Sequence, residues 1–257
     1  MHSHDLAQIV PPMRDASIGG NWILPYAHKA DMADQLNTDI VKISQQMQSE
    51  YGINTVPGFT VHPSDGPEAV GRITRQAILR GARVAKLHCS VGAYSVLHPN
   101  FAPFWSLAEQ ILWPTVVHAG GHASGQTLIR ELEQIDKLAE RYPKARIIIA
   151  HSGAPACKQG IELAMKRPNI YLDTTTGVVS LPPLPTRAQQ PHYDYMIKLA
   201  REGRMLFGSD LPNVAMQLPD VVRGNTQVFD VDCKFTGGRV PQSLEEAGKE
   251  GDPLYEL

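Results

Sequence analysis

A chain of 257 residues is long for two domains and ordinary for one α/β barrel, and 42% hydrophobic against 19% charged residues allows one large core. A net charge of −2 with a pI near 6.5 gives no electrostatic reason to expect nucleic acid or an anionic membrane as partner. Cys89, Cys157 and Cys233 are odd in number and lack paired spacing, no apolar run reaches the roughly 18 residues of a membrane span, and Met1-His-Ser-His-Asp5 does not read as a signal peptide, so the expectation is free thiols in the cytoplasm.

Along the chain, residues 5–18 carry a weak helical pattern that Pro11 and Pro12 argue against. Gly19-Gly20 turns into a strand from Asn21 that runs toward His28. Thr38 or Asp39 is the expected cap of a helix reaching Tyr51, with Ile40, Ile43 and Met47 on one face. A strand follows over 53–61, then a helix over 68–80 closed by Gly81. The next strand is 84–88, followed by a long loop over 90–100 and a helix over 101–112. A strand over 114–118 precedes the helix 126–142, whose Leu128, Leu132, Ile135 and Leu138 fall at helical spacing. Strands at 146–151, 169–173 and 204–210 complete the series, with helices near 161–166 and 193–202 and a Pro-rich loop over 181–191.

Strand and helix alternate at roughly 30-residue spacing, the pattern of repeated right-handed βαβ units. The fold class expected is an α/β (β/α)8 TIM barrel, incomplete at the first strand and at the C-terminal helix, because seven strands are readable where eight are required. Residues 1–223 form the single barrel domain. Residues 224–257 are polar and Gly-rich, and read as a poorly ordered tail.

Three apolar runs end in groups that bind metals. Pro114-Thr-Val-Val ends in His118, Arg146-Ile-Ile-Ile-Ala in His151, and Arg204-Met-Leu-Phe-Gly-Ser in Asp210. In a parallel barrel all carboxyl strand ends open on one face, so two imidazoles and a carboxylate meet there as a metal site. The bland alternatives are core histidines bonded to main-chain carbonyls and a loop-capping aspartate. A carboxylate at that depth is costly unless it is paired or bound to an ion. Asp210 is also placed to take a proton as a base. His2 and His4 form a His-x-His that on a strand would face one ion, or else belong to a fraying end.

Lys86 and His88 share one face of their strand, where Lys86 is suited to a substrate carboxylate and His88 to a substrate contact. Tyr94, His98, Trp105 and Arg187, in the loops and in the helix after residue 101, hint at an aromatic or anionic ligand. Asp173 and the threonines after it are suited to hold ligating groups in place. His28 and His62 lie on the same presumed face, while His122 is a weaker candidate in its loop. Nucleophile-elbow, phosphate-loop, dinucleotide and H-E-x-x-H motifs are missing.

The stretches Val84-Ala-Lys-Leu-His88, Val116-Val-His-Ala-Gly120, Ile148-Ile-Ala-His-Ser-Gly153, Asn169-Ile-Tyr-Leu-Asp-Thr174 and Leu206-Phe-Gly-Ser-Asp-Leu-Pro212 resemble the amidohydrolase superfamily. The likeness is to its amidohydrolase-related branch, with aminocarboxymuconate-semialdehyde decarboxylase, the resorcylate-type decarboxylases and the pyrone-dicarboxylate lactonases. It covers roughly residues 20–220 in family order. The resemblance implies a TIM barrel with one divalent metal, usually zinc and alternatively manganese. His2, His4, His118 and Asp210 would be its ligands, and His151 a ligand or a catalytic group. It also implies a small-molecule substrate and a homodimer.

The leading expectation is a metal-dependent hydrolase of a small carboxylated or cyclic (lactone- or amide-type) substrate. A non-oxidative decarboxylase of an aromatic or muconate-type acid is the second reading. A truncated, inactive paralogue or binding protein is the third.

Overall fold

The computed structural model describes residues 6–15, 20–119, 125–154, 156–175 and 190–208. Among these residues seven parallel strands form one sheet in sequence order: β1 (Gly20–Ile23), β2 (Asn54–Phe59), β3 (Val84–Leu87), β4 (Pro114–Val117), β5 (Arg146–Ile149), β6 (Ile170–Asp173) and β7 (Met205–Leu206). Strand order equal to sequence order, with a helix between successive strands, is barrel connectivity. No pairing of β7 with β1 closes the sheet among the described residues.

The helices are α1 (Leu6–Asp15), α2 (Ala33–Tyr51), α3 (Pro67–Leu79), α4 (Cys89–Gly92), α5 (Ala102–Ile111), α6 (Gly125–Arg141), α7 (Cys157–Lys166) and α8 (Gln190–Arg201). Alternation along each strand separates two apolar layers. Ala85, Leu87, Val117, Ile147, Ile149, Ile170, Leu172 and Met205 belong to the main core beneath the helices. Val84, Val116, Ile148 and Leu206 pack with Trp22, Leu24 and Tyr171 as a separate inner cluster. Lys86, paired in register with Val116, shares that inner parity.

Three elements differ from the sequence expectation. Helix α1 forms despite Pro11 and Pro12, because Val10 and Met13 pack with Met47 and Ile53, and Arg14 Nη2 donates to Tyr51 O at 2.6 Å. Tertiary burial there outweighs two missing donors. Helix α2 starts at Ala33 rather than near Thr38, and its cap residue Met32 makes no side-chain capping bond. Buried Asn37 explains the early start, since its Nδ2 donates to Thr60 O at 2.9 Å and its Oδ1 accepts from Thr60 N at 2.8 Å. The loop expected over 90–100 opens with the single turn α4 and closes with a 3-10 turn over Pro99–Phe101.

Two polar side chains fasten the later units. Buried Asn169 donates through Nδ2 to the carbonyls of Ala139, Tyr142 and Ala145 at 3.2, 3.0 and 3.2 Å, closing the end of α6. Arg204 Nη1 donates to Ala164 O at 2.8 Å, Arg167 O at 3.2 Å and Ile170 O at 3.3 Å, which ties the end of α7 to the approach of β7. Such side chains satisfy carbonyls that a helix end leaves open. Among the described residues no helix is long and apolar enough to cross a membrane.

Candidate active site

His88, His118 and His151 follow the carboxyl ends of three neighbouring strands. Leu87 pairs with Val117, so the next residues, His88 and His118, stand side by side. Their rings stack at 3.8 Å between centroids with planes 15° apart. His118 then meets His151 edge-on at 5.1 Å. Tyr26, after β1, extends the row by lying 5.0 Å from His88. The result is a line of four rings, three of them imidazoles, across the mouth of the sheet.

Burial keeps two of these imidazoles neutral. His118 is 8% exposed, and desolvation, then neighbouring His88, Lys86 and His151, hold its pKa down to about 2. Desolvation, then Lys86 and His151, lower His88 to about 3. A neutral imidazole is the form that ligates a metal or accepts a proton.

His151 is held by main chain. His151 and Ser152 both adopt left-handed backbone conformations, φ 59° and 49°, which cost energy for residues with a Cβ. Asp173, at the end of β6, compensates. Its Oδ1 accepts from His151 N at 2.7 Å and Thr175 N at 3.0 Å, while Ser152 Oγ donates to Asp173 O at 2.5 Å. His151 Nδ1 lies 3.3 Å from Thr175 O. A carbonyl only accepts, so the proton sits on Nδ1 and the lone pair on Nε2. His118 Nδ1 is engaged too, 3.3 Å from Ser90 Oγ.

These two histidines are suited to a divalent ion, each with Nδ1 engaged and Nε2 left to face it. Among the described residues no group of three or more His, Cys, Asp or Glu side chains is placed to hold one. The other expected ligands, His2, His4 and Asp210, lie outside the described residues, as do Arg187, His122, Cys233 and the 224–257 segment. The described chain stops two residues short of Asp210 at Gly208, where an added Cβ would lie 2.0 Å from Thr175 Oγ1. Gly208 N also donates to Thr174 Oγ1 at 3.2 Å, so the chain leading to Asp210 runs directly beside the segment that holds His151.

Lys86 lies one inward position before His88 and is half-buried. Tyr94 stands behind His88, its hydroxyl accepting from His88 N at 2.9 Å and its ring edge-on to His62 and Phe101. His62 is a core residue, with Nδ1 accepting from Ser64 N at 3.2 Å and Nε2 3.3 Å from Gly92 O. His98 caps a turn by accepting from Asn100 N at 3.2 Å, and His28 is exposed. Trp105 is 2% exposed with Nε1 donating to Val96 O, so the hint that it meets a ligand is corrected: it is core. Ser90, which reaches His118, and Glu131, which accepts from Ser90, carry no sequence signal, since one serine in a loop and one acid in a charged helix look like surface.

The family model described as amidohydrolase matches residues 24–221. A search of curated proteins finds no significant match. Among solved structures, an uncharacterized TIM-barrel protein from Bordetella bronchiseptica superposes with a TM-score of 0.67 at 18% identity, covering 95% of this chain and 84% of that one. Dihydroorotase from Saccharomyces cerevisiae, in complex with 5-fluoroorotic acid, gives 0.60 at 16% identity, with 97% and 79% covered. The 5-carboxyvanillate decarboxylase from Novosphingobium aromaticivorans, complexed with manganese and 4-hydroxy-3-methoxy-5-nitrobenzoic acid, gives 0.64 at 13% identity, with 97% and 80% covered. At such identities these likenesses establish a TIM-barrel fold, and the family match extends over most of the chain: the protein belongs to the amidohydrolase family.

Proposed function

We propose that the protein is a metal-dependent hydrolase of a small carboxylated or cyclic substrate of lactone or amide type. The row of His88, His118 and His151 at three adjacent strand ends, with Lys86 beneath, carries this reading. A divalent ion, zinc or alternatively manganese, would be held by His118, His151, Asp210 and the His2/His4 pair, and when bound supplies Lewis-acid polarisation and a reactive water at neutral pH. Lys86 orients a carboxylate of the substrate, and the stacked His88 and His118 rings, with Tyr26 tilted beside them, suit a planar ring. Asp210 accepts the proton of the attacking water and passes it to the leaving oxygen or nitrogen as the ring bond to the carbonyl carbon breaks. With its proton on Nδ1, His151 acts through the Nε2 lone pair, as ligand or proton acceptor. It donates to an oxyanion only once Nε2 has been protonated.

The same residues support a second reading, non-oxidative decarboxylation of an aromatic acid, for which the stacked His88–His118 pair is the favouring feature. Buried free thiols at Cys89 and Cys157 support placing the reaction in the reducing cytoplasm. The test is metal content per chain by mass spectrometry for the parent, His118→Ala and Asp210→Ala, followed by lactones, amides and aromatic acids as substrates. About one ion per chain, lost in both variants, with ring opening abolished by Asp210→Ala, is expected. Hydrolysis retained in Asp210→Ala ends the assignment, and carbon dioxide release transfers it to the decarboxylase.

A further inference from the structure

The two inward histidines are oriented by different means. His151 Nδ1 meets a main-chain carbonyl, so its proton position is fixed by the fold. His118 Nδ1 meets only a hydroxyl, Ser90 Oγ, at 3.3 Å. A hydroxyl can donate or accept, so this contact alone leaves the tautomer of His118 open. The same Ser90 oxygen lies 3.1 Å from Glu131 Oε1.

A serine has one proton to donate. A hydrogen bond to a carboxylate is roughly twice as strong as one to a neutral acceptor, so that proton goes to Glu131. Ser90 Oγ is then an acceptor toward the ring, Nδ1 of His118 carries the proton, and Nε2 carries the lone pair. We propose that Ser90 and Glu131 are positioning residues that set the tautomer of His118, through the chain His118 Nδ1–H to Ser90 Oγ–H to Glu131 Oε1.

The parts come from successive units of the barrel. Ser90 lies on α4 after β3, His118 follows β4, and Glu131 lies on α6 after β4. The relay thus couples two helices, α4 and α6, to one ring. Without it, the opposite tautomer, with Nε2–H outward, becomes populated, and His118 must shift its proton before Nε2 can ligate. The inference rests on the proposed metal function only for its consequence, since the tautomer is measurable without any metal.

The variants are Ser90→Ala, which removes the relay, Glu131→Gln, whose amide can donate to Ser90 and so reverse it, and Ser90→Thr, which keeps the hydroxyl. The first readout is long-range proton–nitrogen NMR of the metal-free, full-length chain with nitrogen-labelled histidine. Parent and Ser90→Thr are expected to show His118 protonated on Nδ1. Ser90→Ala is expected to show a mixture, and Glu131→Gln a shift toward Nε2–H. The second readout is zinc affinity by chelator competition, expected to fall about 10–100-fold in Ser90→Ala and Glu131→Gln, the usual effect of removing a ligand's hydrogen-bond partner, and to stay near the parent in Ser90→Thr. An unchanged Nδ1–H signal in both Ser90→Ala and Glu131→Gln overturns the proposal. Altered tautomers in Ser90→Ala and Glu131→Gln, alongside a parent that binds no zinc, would uphold the relay and refute the metal-dependent function. Zinc lost in His118→Ala with parental tautomer and affinity in Ser90→Ala would do the reverse.

Discussion

Replacing Gly160 with alanine probes the support beneath His151. Gly160, inside α7, passes directly under the left-handed turn, and a Cβ there would lie 2.2 Å from Ser152 O and 3.0 Å from its carbonyl carbon, where 3.4–4 Å is ordinary contact. Something must move by about 1 Å, and both partners are main chain. The turn cannot yield freely, because His151 N and Ser152 Oγ are both bonded to Asp173. Overpacking of this kind costs about 1–3 kcal/mol, and about 2–3 where only main chain can give; alanine returns about 0.5–1 kcal/mol of helix propensity, so a net loss of about 1–2.5 kcal/mol is expected. Urea unfolding at neutral pH should show a lower midpoint with an unchanged slope. Zinc loading should fall with it, because His151 moves with the turn. Gly52→Ala at the end of α2, where an added Cβ meets nothing within 4 Å, should lose only its left-handed backbone preference and keep the metal. A Gly160→Ala protein as stable as the parent, or more so, would refute this seating of α7.

Two other outcomes follow from the packing and the buried rings. Asn169→Ala removes the amide shared by three carbonyls, of which Tyr142 O keeps Ala145 N as a donor, at about 1–3 kcal/mol. Thermal unfolding should show this as a Tm lower by roughly 2–4 °C for each kcal/mol, and an unchanged Tm would deny Asn169 its role as the clamp on α6. In metal-stripped protein, His88 and His118 titrate at about 3 and about 2 when folded, below the 6.5 of a free imidazole. Between those values the unfolded chain binds protons that the folded one does not, so stability is fully present above pH 6.5 and falls as the pH drops. The slope should reach up to about 1.4 kcal/mol per pH unit for each ring, measured by urea titrations from pH 7.5 to 5. His88→Asn should make the dependence shallower, and a flat profile in the parent would show that the rings are not desolvated.

What the sequence made legible were features written in one strand at a time. Apolar runs such as Arg146-Ile-Ile-Ile announce buried strands, and the histidines that end two of them land on the same face because all strands are parallel. Features set by register between strands stayed hidden. His88 could be read as a neighbour of Lys86, yet its stacking on His118 follows from pairing Leu87 with Val117. Long-range polar ties stayed hidden for the same reason. Asn37 reads as lying before the helix until Thr60 pairs with it, and Pro11 looks like a helix breaker until Val10 and Met13 find Met47 and Ile53.

The sequential order of the sheet bears on how the chain is made. Among the described residues each strand pairs only with strands adjacent to it in sequence, so every new one meets an edge already formed. Ribosomes add about 5–20 residues per second, so a unit of roughly 30 residues emerges over seconds. Helices form within about a microsecond, leaving each nascent unit ample time to dock before the next appears. Vectorial synthesis and barrel growth thus run in the same direction, which predicts a series of evenly spaced pulling events in a nascent-chain force profile.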